Sequence, residues 1–230
     1  MRTVDLSTVK AEAVTPDRQL RITEIFHSLQ GESRPVGCPT AFIRLSGCPL
    51  RCVYCDTVYS FQGGIRLTFE QILAQVGEYA VRNVCVTGGE PLAQRQCLEL
   101  LSVLCEAGYD VSLETSGALG IDGVDSRVSI VLDLKTPGSG EAERNLWSNL
   151  ELLKPIDQVK FVICDRADYE WSCAMVSEHD LTAKCPVLFS PVWGQDDFAR
   201  NVAEWILADR LEVRFQLQLH KILWGDRPGH

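Results

Sequence analysis

The sequence has no apolar run that approaches the about 20 residues needed to cross a bilayer, so no membrane span is expected. Its opening segment, MRTVDLSTVKAEAVTPDRQL, lacks the apolar stretch of a secretory signal, and a cytoplasmic protein is expected. Positive charge is scarce as well. Lys and Arg number 22 against 31 Asp and Glu, a formal net charge of −9. A chain without a broad positive field is a poor match for DNA or RNA as a main partner. Internal repeats, low-complexity stretches and linkers are missing too, which points to one domain after a polar, aperiodic N-terminal arm over residues 1–19.

Cysteine is plentiful, with ten residues in 230. Without an export signal, these read as reduced thiols and metal ligands rather than disulfides. With 46% hydrophobic and 23% charged residues, the composition is that of an ordinary globular chain with a buried core.

Short apolar runs rich in Val, Ile, Leu and Phe predict strands at 20–26, 41–46, 83–87, 110–115, 129–134, 158–163, 187–190 and 214–219. Between them, Ile72, Leu73, Val76, Tyr79 and Ala80 recur at helical spacing. So do Cys97, Leu100, Leu101 and Leu104, and Phe198, Val202, Trp205 and Ile206. Thr68 stands where an N-cap belongs, and Gly108 where a helix should stop. Alternating strands and helices predict parallel pairing through right-handed crossovers, as a barrel or an open sheet, with function at the carboxyl ends of the strands.

The chemistry concentrates in Gly47-Cys48-Pro49-Leu50-Arg51-Cys52-Val53-Tyr54-Cys55-Asp56-Thr57, just after a predicted strand. Three thiolates from one tight loop leave one iron of a [4Fe–4S] cubane without a protein ligand, and an open metal position is where a small molecule binds. Zinc completed by a distant fourth ligand is the competing reading of the same spacing. A second motif, Gly88-Gly89-Glu90-Pro91, ends the next strand. Glycine permits close backbone approach and a carboxylate can hold an ammonium group, although such a sequence is also an ordinary turn.

Together the C-x3-C-x2-C loop and Gly-Gly-Glu-Pro resemble the radical S-adenosylmethionine superfamily. That resemblance implies an α/β fold, a partial (β/α)6 barrel with parallel strands and outer helices. Four ordered segments narrow it to the 7-carboxy-7-deazaguanine synthase family: residues 25–33 (IFHSLQGES), 39–48 (PTAFIRLSGC), 55–57 (CDT) and 218–225 (QLHKILWG). Ser33 stands where many of that family have glycine.

The resemblance implies an enzyme that converts 6-carboxy-5,6,7,8-tetrahydropterin to 7-carboxy-7-deazaguanine. An electron from the cluster cleaves S-adenosylmethionine, the resulting radical takes hydrogen from C6, the ring contracts and ammonia leaves. It implies that Cys48, Cys52 and Cys55 hold the cluster and that Thr57 contributes to a Mg2+ site. Substrate contacts are expected from Leu29, Gln30, Gly31, Glu32, Arg44, Thr87 and His220. Cofactor contacts are expected from Tyr54, Cys55, Asp56, Gly89, Glu90, Glu114, Thr115, Ser116, Asp133, Leu134, Lys135, Ser190, Pro191, Val192 and Trp193. A flavodoxin or ferredoxin as electron donor and a homodimer follow from the same resemblance.

Plainer roles compete at each position: an ion pair for Arg44, a helix cap for Thr57, a solvated carboxylate for Glu32 and a structural histidine for His220. A glycyl-radical activase and a non-enzymatic zinc domain remain as other classes. Cys38 reads as a spare thiol near the cluster. Cys85, Cys97, Cys105 and Cys164 read as small core residues, and Cys173 and Cys185 complete the set, too scattered for a second cluster.

Overall fold

The computed structural model describes residues 18–195, 197–227 and 229. Apart from Arg18 and Gln19, the expected arm lies outside the described residues.

Nine strands form one sheet: β1 (Gln19–Leu29), β2 (Pro39–Leu45), β3 (Ile65–Thr68), β4 (Asn83–Gly88), β5 (Asp110–Thr115), β6 (Ser129–Leu134), β7 (Gln158–Ile163), β8 (Val187–Pro191) and β9 (Arg214–Phe215). Their order is β3-β1-β2-β4-β5-β6-β7-β8-β9, and every pairing from β2 to β9 is parallel. Every predicted strand has a counterpart. The last shortens to two residues, because Leu219 opens a helix instead.

The expectation of parallel pairing fails for β1, which runs antiparallel to both β2 and β3. Chain length is the reason. A parallel crossover needs about a dozen residues or more, and residues 30–38 only permit a hairpin, closed by Gln30 N–H donating to the Cys38 carbonyl at 2.9 Å. Leu29 pairs with Pro39, the first residue of β2, so the hairpin turn sits at the amino ends of the parallel strands, and residues 29–32 reach the wall of the cavity described below from that side.

The helices are α1 (Phe69–Glu78), α2 (Cys97–Glu106), α3 (Arg166–Glu178), α4 (Leu181–Lys184), α5 (Phe198–Asp209) and α6 (Leu219–Trp224). Thr68 caps α1 in a reciprocal capping box with Gln71, and Gly108 follows α2 at φ +89°. Helix α3 carried no strong apolar period, because its buried face is Asp168, Tyr169 and Ser172. The Asp168 carboxylate there accepts from Thr136 Oγ1, Gly138 N and Cys164 N, and so joins the ends of β6 and β7 to α3.

The crossover from β5 to β6 has no α-helix, and that from β6 to β7 is built of 3-10 turns at Pro137–Ser139, Ala142–Arg144 and Trp147–Leu152. Buried amide side chains satisfy the backbone a helix would have satisfied. Asn149 donates to the Gly117 and Leu119 carbonyls and accepts from Ile121 N, while Asn145 bridges both backbone groups of Lys135.

Two apolar clusters hold the sheet. One joins Leu20, Ile43, Val84 and Leu113 to Ile72 and Val76 of α1 and Leu100 and Leu101 of α2. The other joins Leu132, Phe161 and Phe189 to Tyr169 of α3 and Val202 and Ile206 of α5. Each fully buried Leu, Ile or Phe contributes about 1.5–3 kcal/mol.

Candidate active site

At the carboxyl ends of the parallel strands lies a cavity of about 400 Å³. Its floor is the cysteine loop, with Cys48, Cys52 and Cys55 all on its wall and all free thiols. One side is formed by residues 29–32 of the β1–β2 hairpin with Phe26, Phe42 and Arg44. Thr115, Ser116, Asp133, Lys135 and residues 190–193 line the cavity too, as do Gln218, His220 and Lys221 of the tail. Tyr54, Asp56, Thr57, Thr87, Gly89 and Glu114 also line it. Of the expected contact residues, all but two therefore meet around one space.

The two exceptions lie off the cavity wall. Leu134 is fully buried in the core beneath the cavity, because side chains alternate along β6 and Asp133 and Lys135 take the cavity side. Glu90 is fully buried behind the wall. Its carboxylate accepts from Ser116 N at 2.7 Å, from both the Thr115 and Ser116 hydroxyls, and from Leu92 N at 3.0 Å. It is a buttress that ties the end of β4 to the end of β5. The neighbouring glycines serve packing as well. A Cβ on Gly89 would lie 2.3 Å from the Gly47 carbonyl oxygen and 2.8 Å from Cys48 Cβ, so glycine here lets β4 press against the cysteine loop.

Arg44 is held in place. Its Nε donates to Glu24 Oε1 at 2.7 Å, Tyr59 Oη donates to the same oxygen, and the guanidinium lies 5.6 Å from the centre of the Phe26 ring. The structural ion pair and the cavity position coexist, since one edge of the guanidinium contacts Glu24 while the residue lines the cavity. Glu114 turns toward the hairpin side, accepting from Thr87 Oγ1 at 2.9 Å and Gln30 Nε2 at 3.4 Å, whereas Thr115, next in the strand, turns to Glu90.

The tail closes the site onto the hairpin. Leu219 N donates to the Gly31 carbonyl at 3.0 Å, and a Cβ on Gly31 would collide with His220 Nδ1 at 1.9 Å. Glycine is thus needed at 31 to admit the imidazole. Lys221, 8% exposed, pairs with Asp56 Oδ2 at 3.2 Å and Asp226 Oδ1 at 2.6 Å, joining the tail to the cysteine loop. Asp56 Oδ1 in turn accepts from Thr57 Oγ1 at 2.8 Å. Ser33, where glycine was noted in the resembled family, adopts φ +61° and is buried, a conformation costly for a residue with a Cβ.

Lys160 gave no signal as a site residue in the sequence, since a lysine inside Gln-Val-Lys-Phe-Val-Ile reads as the wet face of a strand. It lines the cavity, with Nζ 2.8 Å from Glu32 Oε2 and 3.1 Å from Asp133 Oδ2. Burial raises the Glu32 carboxyl pKa, but the Lys160 ammonium and hydrogen bonds from Lys160 and Gln218 outweigh it and hold the group below the ordinary range. His220 is lowered, chiefly by burial.

Cys38 does not join the site. It is exposed at the hairpin turn and is not on the cavity wall. Cys85, Cys97 and Cys185 are buried as small apolar residues, while Cys105, Cys164 and Cys173 are half-buried.

Residues 42–131 match the family model described as the Radical SAM superfamily. The 7-carboxy-7-deazaguanine synthase of Chlorobaculum tepidum is 44% identical over 215 residues, covering 92% of this chain and 97% of that protein. The chain belongs to the 7-carboxy-7-deazaguanine synthase family. The synthase of Koribacter versatilis, from the same family, is 40% identical and covers 89% and 97%. In three dimensions the crystal structure of QueE from Escherichia coli superposes with a TM-score of 0.72 over 88% of this chain and 95% of that one, at 24% identity, a likeness of fold.

Membership of the superfamily implies a [4Fe–4S] cluster and S-adenosylmethionine, and this cavity suits both. Three soft donors from one loop share its floor. Tyr54 Oη is buried without a hydrogen-bond partner on the wall, and Asp133 Oδ1 lies 3.0 Å from Lys135 Nζ but outside hydrogen-bonding alignment. Such orphaned polar atoms are what a polar ligand would satisfy.

Burial raises the Cys52 thiol to about 11, so in the apoprotein it is protonated at pH 7. Iron needs the thiolate, so loading must release that proton. Cluster assembly on apoprotein is therefore expected to quicken from pH 7 to pH 9, followed by absorbance near 400 nm. A rate flat across that interval would show that Cys52 ionisation does not limit loading.

Proposed function

We propose that this chain converts 6-carboxy-5,6,7,8-tetrahydropterin to 7-carboxy-7-deazaguanine with loss of ammonia. The observation that carries the reading is the anchored Arg44 guanidinium on the wall of the cavity that also holds three free thiols. A substrate carboxylate suits that planar donor. When bound, the reduced cluster would supply the electron that cleaves S-adenosylmethionine to methionine and a 5′-deoxyadenosyl radical.

The chain's own residues do the rest. Cys48, Cys52 and Cys55 would hold the cluster. Tyr54, Asp56, Gly89, Ser116, Asp133, Lys135 and residues 190–193 would seat S-adenosylmethionine, with Glu90 and Thr115 bracing Ser116 from behind. Gln30, Glu32, Thr87, Glu114 and His220 offer the pterin ring hydrogen-bonding partners, and Leu29 and Gly31 shape that wall. The aromatic rings of Phe26 and Phe42, stacked at 4.8 Å, add an apolar surface beside Arg44. The tail narrows the cavity beside the hairpin, where Leu219 N donates to the Gly31 carbonyl.

Thr57 could give Mg2+ one oxygen, the others coming from substrate and water, since Mg2+ keeps several waters. We assign the protein to the cytoplasm, as ten free thiols suit a reducing compartment. By family, we also assign it a flavodoxin or ferredoxin as reductant and a homodimeric state.

Anaerobically reconstituted protein with S-adenosylmethionine, Mg2+, a reductant and the pterin is expected to form the deazapurine, detected by mass spectrometry. Cleavage of S-adenosylmethionine without any deazapurine would leave the superfamily chemistry and remove this substrate. Full turnover after chelation of divalent ions would remove Mg2+ alone.

A further inference from the structure

Lys160 stands at the middle of a chain of charged and polar groups that runs around the cavity wall. Gln218, at the start of α6, donates to Glu32 Oε1 at 2.8 Å, and Glu32 Oε2 meets Lys160 Nζ at 2.8 Å. Lys160 reaches Asp133 Oδ2 at 3.1 Å, Asp133 Oδ1 faces Lys135 Nζ at 3.0 Å, and Lys135 Nζ lies 6.0 Å from the centre of the Tyr54 ring on the cysteine loop. Lys160 itself is 12% exposed. Three segments that are far apart in sequence meet through this one ammonium group: the hairpin at Glu32, β6 at Asp133 and β7 at Lys160 itself.

We propose that Lys160 is a positioning residue that couples the pterin side of the cavity to the S-adenosylmethionine side. The inference rests on the substrate reading above. Glu32 follows the residues assigned to the pterin, and Asp133 belongs to those assigned to S-adenosylmethionine. Among the described residues, no other cation pairs with both carboxylates, and Lys135 contacts Asp133 alone of the two.

Without the ammonium, two carboxylates would face each other across a cavity that must admit a carboxylated substrate. Repulsion would then displace Glu32 and with it the hairpin wall, while Asp133 would keep Lys135. Loss of Lys160 therefore falls first on the pterin and only weakly on S-adenosylmethionine. A displaced pterin is a poor hydrogen donor to the radical, so cofactor is consumed without product. Lys160 contacts no reacting atom in this scheme.

The test compares wild type, Lys160→Met and Lys160→Arg, each reconstituted anaerobically and matched for iron content. Lys160→Met is expected to raise the pterin KM at least tenfold and the S-adenosylmethionine KM less than threefold. The ratio of 5′-deoxyadenosine to deazapurine should rise at least fivefold, and Lys160→Arg should restore most of that coupling. Should Lys160→Met fail to fold, Lys160→Gln, which keeps a polar end but no charge, takes its place with the same expected KM split and uncoupling.

Unchanged pterin KM and coupling in Lys160→Met overturn the inference. So does an equal fall in product and 5′-deoxyadenosine with both KM values unmoved, the mark of a merely structural role. Wild type sets the reference. If it makes no deazapurine, the substrate reading falls and takes this inference with it. If it turns the pterin over while the variants match it, the inference alone falls.

Discussion

Replacing Arg44 with alanine is expected to lower pterin turnover about a hundredfold while the iron–sulfur absorbance stays at the wild-type level. The side chain meets the cavity in a fixed pose, set by Glu24 at 2.7 Å and by the Phe26 ring. A charge-assisted pair at a half-buried site costs about 2–5 kcal/mol when one partner is truncated. At 1.4 kcal/mol per decade, about 3 kcal/mol is a factor of about a hundred. Arg44 lies on β2, whose end leads into the cysteine loop, so the backbone of the cluster site is untouched by the change. The loss should appear mainly in kcat/KM for the pterin, with S-adenosylmethionine binding little altered. Arg44→Lys keeps the charge and loses the planar fork, and should fall between the two. Full pterin activity in Arg44→Ala would mean that the guanidinium serves only its pair with Glu24.

Glu90→Ala should be the most destabilising single change at the site. Four donors converge on this carboxylate from Leu92, Thr115 and Ser116, and none reaches solvent through it, since Glu90 is fully buried. Removing it strands buried donors, each at about 1–3 kcal/mol. A loss of about 3–5 kcal/mol overall is expected, a fall in Tm of about 6–20 °C for a domain of this size. Glu90→Gln discriminates between two roles. A carboxylate that only bound the cofactor would lose S-adenosylmethionine affinity with no change in Tm. A buttress loses Tm first, and affinity through the displaced Ser116. An unchanged Tm in Glu90→Gln would refute the buttress.

The chain's strands were most legible where they are buried apolar runs covered on both faces, as in β2, β4 and β8, because such runs need no partner to be recognised. The direction of β1 was less visible, because the predicted ends at residues 26 and 41 left a gap long enough for a parallel crossover, whereas the strands run on to Leu29 and begin at Pro39. Strand β3, Ile-Arg-Leu-Thr, went unseen since only Leu67 of its four residues is buried. Helix α3 escaped because its inner face uses Asp168 and Ser172, polar residues that become core only through their hydrogen bonds.

At the site, spacing and motif located the cysteine loop and the strand ends. They could not separate residues that face the cavity from those that brace it. Glu90 and Lys160 show the two ways this fails. A carboxylate in a glycine-rich turn looks available but is spent on backbone and hydroxyl donors, and a lysine in an apolar strand looks solvated but is held between two acids.

The tail carries a consequence for how the protein is made. Gln218 and Glu32 touch across 186 residues of chain, as Gln216 and Ser33 do across 183. Contacts of such separation form late, since the loop they close is costly in entropy. On the ribosome, the cysteine loop emerges before the Lys221 that latches onto Asp56. Until then the three thiols of the loop stand beside a wall that has not been built. That interval gives iron and sulfide a wider entry, and oxygen an easier attack, than the docked α6 leaves.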